Sequence, residues 1–153
     1  MKLIIYLFII LSSLKGFSQE KIDWINFEDL PALQAQNPKS IFIYIYADWC
    51  VYCKKMEKVS FKDKSNVNLL NDKYYALKFN LETESDIIFN DKIYKNQELK
   101  TRRQPKHELA KFLTGKQDKI PLPAIIILDQ NFKVIKQLHT YLNPKQLYLL
   151  INQ

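Results

Sequence analysis

Ile41-Phe42-Ile43-Tyr44-Ile45-Tyr46-Ala47-Asp48-Trp49-Cys50-Val51-Tyr52-Cys53-Lys54-Lys55 is the stretch whose reading decides the fold. Its first six residues are apolar, β-branched or aromatic throughout, as in a central strand covered on both faces. The residues after Cys50 read as helix. The only two cysteines of the chain therefore sit where a strand hands over to a helix N-terminus. Unpaired backbone N–H groups and the positive end of the helix dipole favour a thiolate over a thiol there. Cys50 gains most, and a lowered pKa makes a cysteine nucleophilic at neutral pH. Cys53, one turn later, is close enough to close a disulfide back onto Cys50. The stretch reads as a redox-active site.

Upstream, Met1-Lys2 precedes an apolar run from Leu3 to Leu11, followed by Ser12-Ser13-Leu14-Lys15-Gly16-Phe17-Ser18. The run is shorter than the roughly 20 apolar residues that cross a bilayer. A positive start, a short apolar segment and small residues at 16 and 18 are the parts of a secretory signal. Residues 1–18 are expected to be a signal peptide and 19–153 the mature domain, soluble in the periplasm after cleavage near Ser18. The other reading of the run is an uncleaved anchor. No cysteine follows it, which closes the lipoprotein route. Cleavage removes Lys2 and Lys15 and no acid, so the formal charge of +7 becomes +5. The lysines are spread along the chain, and the densest cluster, Lys100, Arg102, Arg103 and Lys106, offers little stacking. This is a mildly basic surface and excludes a nucleic-acid partner.

At 153 residues, 47% of them apolar, the chain has material for one core. Asn26 or Asp29 can cap a first helix with Phe27, Leu30 and Leu33 on one side, ended by Asn37-Pro38. The helix from Cys50 runs to about Val59. It puts Cys53, Met56 and Glu57 on one face and Lys54, Lys55 and Lys58 on the other. Ser65 is expected to cap a helix over 66–71, and a strand follows at 74–81. Residues 83–105 form an insert: a small β-hairpin over 86–95 turning at Asn90-Asp91, then a basic loop. A helix over 105–113 turns Leu109, Phe112 and Leu113 inward and stops at Gly115. A hairpin of 124–128 and 132–138 and a helix opened by Asn143-Pro144 complete the order. The pattern is α/β, a central mixed sheet with helices on both faces.

Three features in this order resemble the thioredoxin-like superfamily over nearly the whole mature sequence. They are Trp49-Cys50-Val51-Tyr52-Cys53-Lys54 after the central strand, Lys78-Phe79-Asn80-Leu81-Glu82 in the next strand, and Ile120-Pro121-Leu122-Pro123-Ala124 before the hairpin. The first, with Glu57 four residues after Cys53, is similar to the C-terminal thioredoxin-like domain of the envelope electron carrier DsbD. The resemblance implies a thioredoxin-like fold with the hairpin insert before its third core helix. It also implies a cis peptide bond at Pro123 beside the cysteines, which presents the Leu122 backbone to an extended substrate. Glu57 matches an acidic residue near the cysteines in DsbD, where it could tune Cys53 or relay a proton. Thioredoxins carry a buried aspartate six residues before the first cysteine, where this chain has Tyr44. Lys78 is retained without that partner.

The implied chemistry is thiol–disulfide exchange with protein substrates. Cys50 attacks and Cys53 resolves, with Glu57, Lys78 and Pro123 in the catalytic set and Trp49, Leu122 and Pro123 meeting the substrate. The Cys50–Cys53 disulfide is its only redox group, and no cofactor is implied. Val51 and Tyr52 put no histidine between the cysteines, which favours a reductant or isomerase over a strong oxidant. A reductant in an oxidising compartment needs a donor, taken to be a membrane thiol carrier, and the protein itself is expected to be a monomer. The rival readings are a structural disulfide, for which this loop is short, a copper metallochaperone using the two thiolates, and a thioredoxin-fold interaction protein. His107 and His139 lack zinc spacing and are expected to be solvated. The insert is expected to set substrate choice.

Overall fold

The computed structural model describes residues 21–153. The signal peptide expected over 1–18 lies outside the described residues. Among those described, no helix is long and apolar enough to cross a membrane.

Among the described residues the first helix is α1 (Leu30–Gln36), which carries Pro31 in its first turn, where a missing N–H costs nothing. The chain continues as β1 (Ser40–Tyr46), α2 (Val51–Lys58), a 3-10 turn (Ser60–Lys62), α3 (Lys64–Lys73) and β2 (Tyr74–Asn80). The insert follows as β3 (Ile87–Phe89) and β4 (Lys92–Tyr94). Then come α4 (Glu108–Thr114), β5 (Ala124–Leu128), β6 (Val134–Leu138) and α5 (Pro144–Ile151). Four strands form one mixed sheet in the order β2-β1-β5-β6. β1 runs parallel to β2 and antiparallel to β5. β6 runs antiparallel to β5. The fold is thioredoxin-like α/β, with helices on both faces.

Strand parity sorts the core. From β1, Phe42 and Tyr44 join Met56 of α2, Val67 and Leu70 of α3, and Leu147 and Ile151 of α5. Ile41, Ile43 and Ile45 point the other way, to Leu30 of α1 and Leu109, Ala110 and Leu113 of α4. Side chains alternate across a strand, so the continuous apolar run serves two cores. Each fully buried large side chain stabilises by about 1.5–3 kcal/mol.

The insert is woven into the second of these cores. Asn90 and Asp91 take φ values of 50° and 59° in its turn, as a two-residue hairpin requires. Ile87, Phe89 and Tyr94 are buried. The Phe89 ring meets Phe27 at 6.0 Å and Phe132 at 5.6 Å, both edge-on. The hairpin is thus a wall of the domain, not an appendage.

Four expectations change. The cap of α3 is Asp63, whose side chain accepts from the Asn66 amide, not Ser65, which lies inside the helix. Phe112 is 60% exposed, because Leu109 and Leu113, four apart, already occupy the inward stripe of a seven-residue helix. Phe132 does not begin a strand. It holds φ 63° in the turn around Asp129, and β6 starts at Val134. His107 is not solvated. It is fully buried, caps α4 by accepting the Leu109 amide on Nδ1, and lies 3.1 Å by Nε2 from the Ser85 carbonyl. That pairing makes Nε2 the protonated nitrogen. Burial pushes its pKa down, against the Ser85 hydrogen bond and the Glu108 and Asp86 charges.

Candidate active site

Ala47-Asp48-Trp49 turns the chain out of β1, and the Cys50 amide donates back to the Ala47 carbonyl at 3.0 Å. Cys50 is the N-cap of α2 with extended backbone, φ −76° and ψ 104°. Its Sγ takes the place a serine or aspartate oxygen usually fills and accepts the Cys53 amide at 3.1 Å. Cys50 and Cys53 are joined as a disulfide, with Cα atoms 5.2 Å apart. The Cys50 side of the bridge is rimmed by Trp49, Val51 and Tyr52, which are 50%, 75% and 61% exposed. Cys53 is packed into the core.

Behind the bridge, Tyr44 stands where thioredoxins have their aspartate. It is fully buried, and its hydroxyl donates to the Cys53 carbonyl at 3.2 Å. Burial, then the Glu57 charge, then Tyr46, push its ionisation far above the ordinary tyrosine range, so it stays protonated. Tyr46 stacks on it at 5.7 Å and is also raised, by burial and by Asp48 and Glu57. Glu57 is half-buried and close enough to act on both phenols. It opens into a cleft of about 370 Å³ lined also by Trp24, Phe61, Lys58 and Lys78.

Lys78 finds aromatic neighbours. Its ammonium lies 5.4 Å from the Trp24 ring centroid and 5.8 Å from that of Tyr46. Aromatic faces thus take the place of the missing carboxylate partner. The Leu122–Pro123 peptide bond is cis, and buried Pro123 leads directly into β5. Leu122 is half-buried and packs between both cores, the one holding the cysteines included.

Three contacts escaped the sequence reading. Trp49 Nε1 donates to Glu82 Oε1 at 2.9 Å, which fixes the indole beside the bridge. On the other flank Tyr52 leans on Tyr141 at 6.3 Å, and Lys55 Nζ sits 4.8 Å over the Tyr141 ring. Only the sequence order of Asn80-Leu81-Glu82 after its strand hinted at the first, and nothing local hinted at Tyr141. Among the described residues, no three or more His, Cys, Asp or Glu side chains gather as a metal site. His139 instead faces the Pro121 carbonyl at 3.1 Å.

Fold and site together define a thioredoxin-like protein carrying a C-x-x-C disulfide at a helix start. The family model Thioredox_DsbH, described as a protein of unknown function, DUF255, matches residues 12–140, and the chain belongs to that family. It is also similar to the thiol:disulfide interchange protein DsbD of Haemophilus influenzae (strain PittEE), at 49% identity over 51 residues. That match covers 32% of this chain and only 9% of the relative's length. Among solved structures, a thioredoxin from Thermus thermophilus superposes with a TM-score of 0.61 at 15% identity, over 87% of this chain and 86% of that one. A structure described as DsbH oxidoreductase gives 0.56 at 14% identity, over 86% and 82%.

Proposed function

We propose that this chain is an exported thiol–disulfide oxidoreductase that exchanges disulfides with protein substrates through Cys50 and Cys53, as a reductant or isomerase. The observation that carries the reading is the Cys50–Cys53 bridge at the start of α2, with the Cys53 amide aimed at Cys50 Sγ. In the dithiol form the same N–H and the helix dipole favour a Cys50 thiolate. That thiolate attacks one sulfur of a substrate disulfide, and the other sulfur leaves as a thiolate and takes up a proton. Cys53, deprotonated, then attacks Cys50 Sγ in the mixed disulfide. The Cys50–Cys53 bond reforms, the second substrate thiolate departs, and two electrons have passed to the substrate.

The proton of Cys53 needs an acceptor. Tyr44 stays protonated and serves as a donor to the Cys53 carbonyl. Glu57, one turn beyond Cys53 and open to the cleft, is the acceptor we assign, directly or through water. Lys78 lines the same cleft and is assigned to the electrostatic setting of Glu57. By resemblance to thioredoxins, Trp49, the Leu122 main chain and Pro123 receive an extended substrate segment. The protein acts as a monomer after removal of residues 1–18 and draws electrons from a membrane thiol carrier.

The test is the reduction potential of the pair, read by equilibrating the protein against thiol buffers. A value near about −230 mV or lower supports an electron donor, and one near about −120 mV would make it an oxidant. Failure of the two cysteines to interconvert between dithiol and disulfide would end the oxidoreductase reading.

A further inference from the structure

The sheet topology gives the disulfide two unlike flanks. β1 and β2 are parallel, and β6 is antiparallel to β5, which is itself antiparallel to β1. The C-terminal ends of β1, β2 and β6 therefore lie at one end of the sheet. Cys50 follows β1, in the interior of the sheet. Glu82 follows β2 at one sheet edge, and Tyr141 follows β6 at the other. Each flank carries its own charge. On the β2 side, Glu82 holds the Trp49 indole, and exposed Asp48, next to Trp49 in the chain and close enough to act on Tyr46, adds a second carboxylate. On the β6 side, the Tyr52–Tyr141 pair carries the Lys55 ammonium over its outer ring. Between them lie the exposed side chains of Trp49, Val51 and Tyr52. None of Lys55, Asp48 and Glu82 forms a salt bridge among the described residues.

We infer that this surface is a polar ruler for the substrate of the exchange reaction. It takes an extended polypeptide whose cysteine lies over Cys50, with an acidic side chain on the flank facing Lys55 and Tyr141 and none on the flank facing Asp48 and Glu82. The inference rests on the exchange chemistry proposed above and adds the class of substrate to it. Lys55 is held by a cation–π contact, so its charge is fixed in place while its N–H donors remain free for a carboxylate. Tyr52 and Tyr141 supply flat apolar area beside it at low entropic cost. On the opposite flank an acid would meet two uncompensated carboxylates, and the like charges would weaken that register. The occupant is thus a segment of defined direction, because one bound backwards would bring its acid against Asp48 and Glu82 and leave Lys55 unmatched.

The experiment uses the reduced full-length chain and cysteine peptides activated as 2-pyridyl disulfides. Release of 2-thiopyridone reports the attack of Cys50. One peptide frame carries Glu, Gln or Lys two residues before the cysteine, and a second carries them two residues after it. At low ionic strength Glu should beat Gln by about two- to fivefold on one side of the cysteine, the reach of one exposed charge pair, and lose to it on the other. Salt should erase both preferences. Lys55→Gln should collapse the favourable ratio to about one, and Asp48→Asn should shrink the penalty on the other side. A purely structural effect would slow all peptides together and leave the ratios unchanged, which would overturn the inference. Neutral 2,2′-dipyridyl disulfide is the control. A wild-type chain inert toward it would overturn the exchange reading and the ruler with it. A chain that consumes it but takes every peptide at one rate would overturn the ruler alone.

Discussion

The Tyr44 hydroxyl donates to the Cys53 carbonyl at 3.2 Å, from the strand position where thioredoxins bury a proton-accepting aspartate. A group that would titrate has been exchanged for one that does not. The phenol fixes the backbone of Cys53, and in the mechanism proposed above the proton transfer falls to Glu57. Tyr44→Phe keeps the ring packing against Phe61 at 4.9 Å and removes only the donor. It should lower unfolding free energy by about 1 kcal/mol, seen in a urea titration, and leave the pH profile of exchange unshifted. A shift of that profile would mean that Tyr44 moves protons.

The proposed mechanism gives the two sulfurs unequal roles. Cys53→Ser should trap a stable mixed disulfide between Cys50 and a peptide substrate, visible as a mass adduct that thiol reductant removes. Cys50→Ser should form no adduct and show no turnover, because the remaining Cys53 is only 1% exposed, against 5% for Cys50 at the rim.

His107 makes stability depend on pH. Burial lowers its folded pKa below the ordinary value, so on acidification the unfolded chain takes the proton first. Stability is full above about pH 6.5, the unfolded value, and declines as pH falls below it. Urea midpoints between pH 8 and pH 5 should trace this slope. His107→Gln should flatten it, with about 1 kcal/mol lost at all pH values because the cap of α4 is disturbed.

Glu98 has the opposite origin and the same sign. Burial would raise its carboxyl, but Lys111, the Lys106 amide and the Arg102 charge hold it below the usual carboxylate range. Its Oε1 lies 2.7 Å from Lys111 Nζ, and Oε2 accepts the Lys106 amide at 3.0 Å. The stabilisation is present above the unfolded glutamate pKa and is lost as pH falls through the lower folded value. Amide hydrogen exchange over 99–106 should speed up in Glu98→Gln at neutral pH, with the sheet unaffected.

Deleting the insert tests more than substrate choice. Phe89→Ala alone should cost about 3 kcal/mol, the usual scale for a buried phenylalanine, read from thermal or urea unfolding. A loss below about 0.5 kcal/mol would mean that the hairpin is dispensable to the core.

Much of this arrangement was legible in the sequence because it is local. The apolar run of β1, the cysteines at its end, the Asn90-Asp91 turn and the Asn143-Pro144 start, now seen as a capping box with Gln146, each declare themselves within a few residues. Asp63 and Ser65 are both capping residues two positions apart, and only the docked helix chooses between them. His107 looked polar and solvated because its partners, Ser85 and Leu81, lie more than 20 residues away. Tyr141 meets Tyr52 across 89 residues of chain, a pairing that only the sheet order creates.

The alternation along β1 sets a reading frame. Aromatic Phe42 and Tyr44 belong to one core, and Ile41, Ile43 and Ile45 to the other. Inserting or deleting one residue between 41 and 46 would flip every assignment on one side of the change relative to the other, and could carry the Tyr44 phenol away from Cys53. A length change inside this strand would therefore cost the domain packing in both cores at once. The turns at 98–104 carry no such frame: a length change there would strain the Glu98 contacts to Lys106 and Lys111 but would leave the parity of every strand as it is.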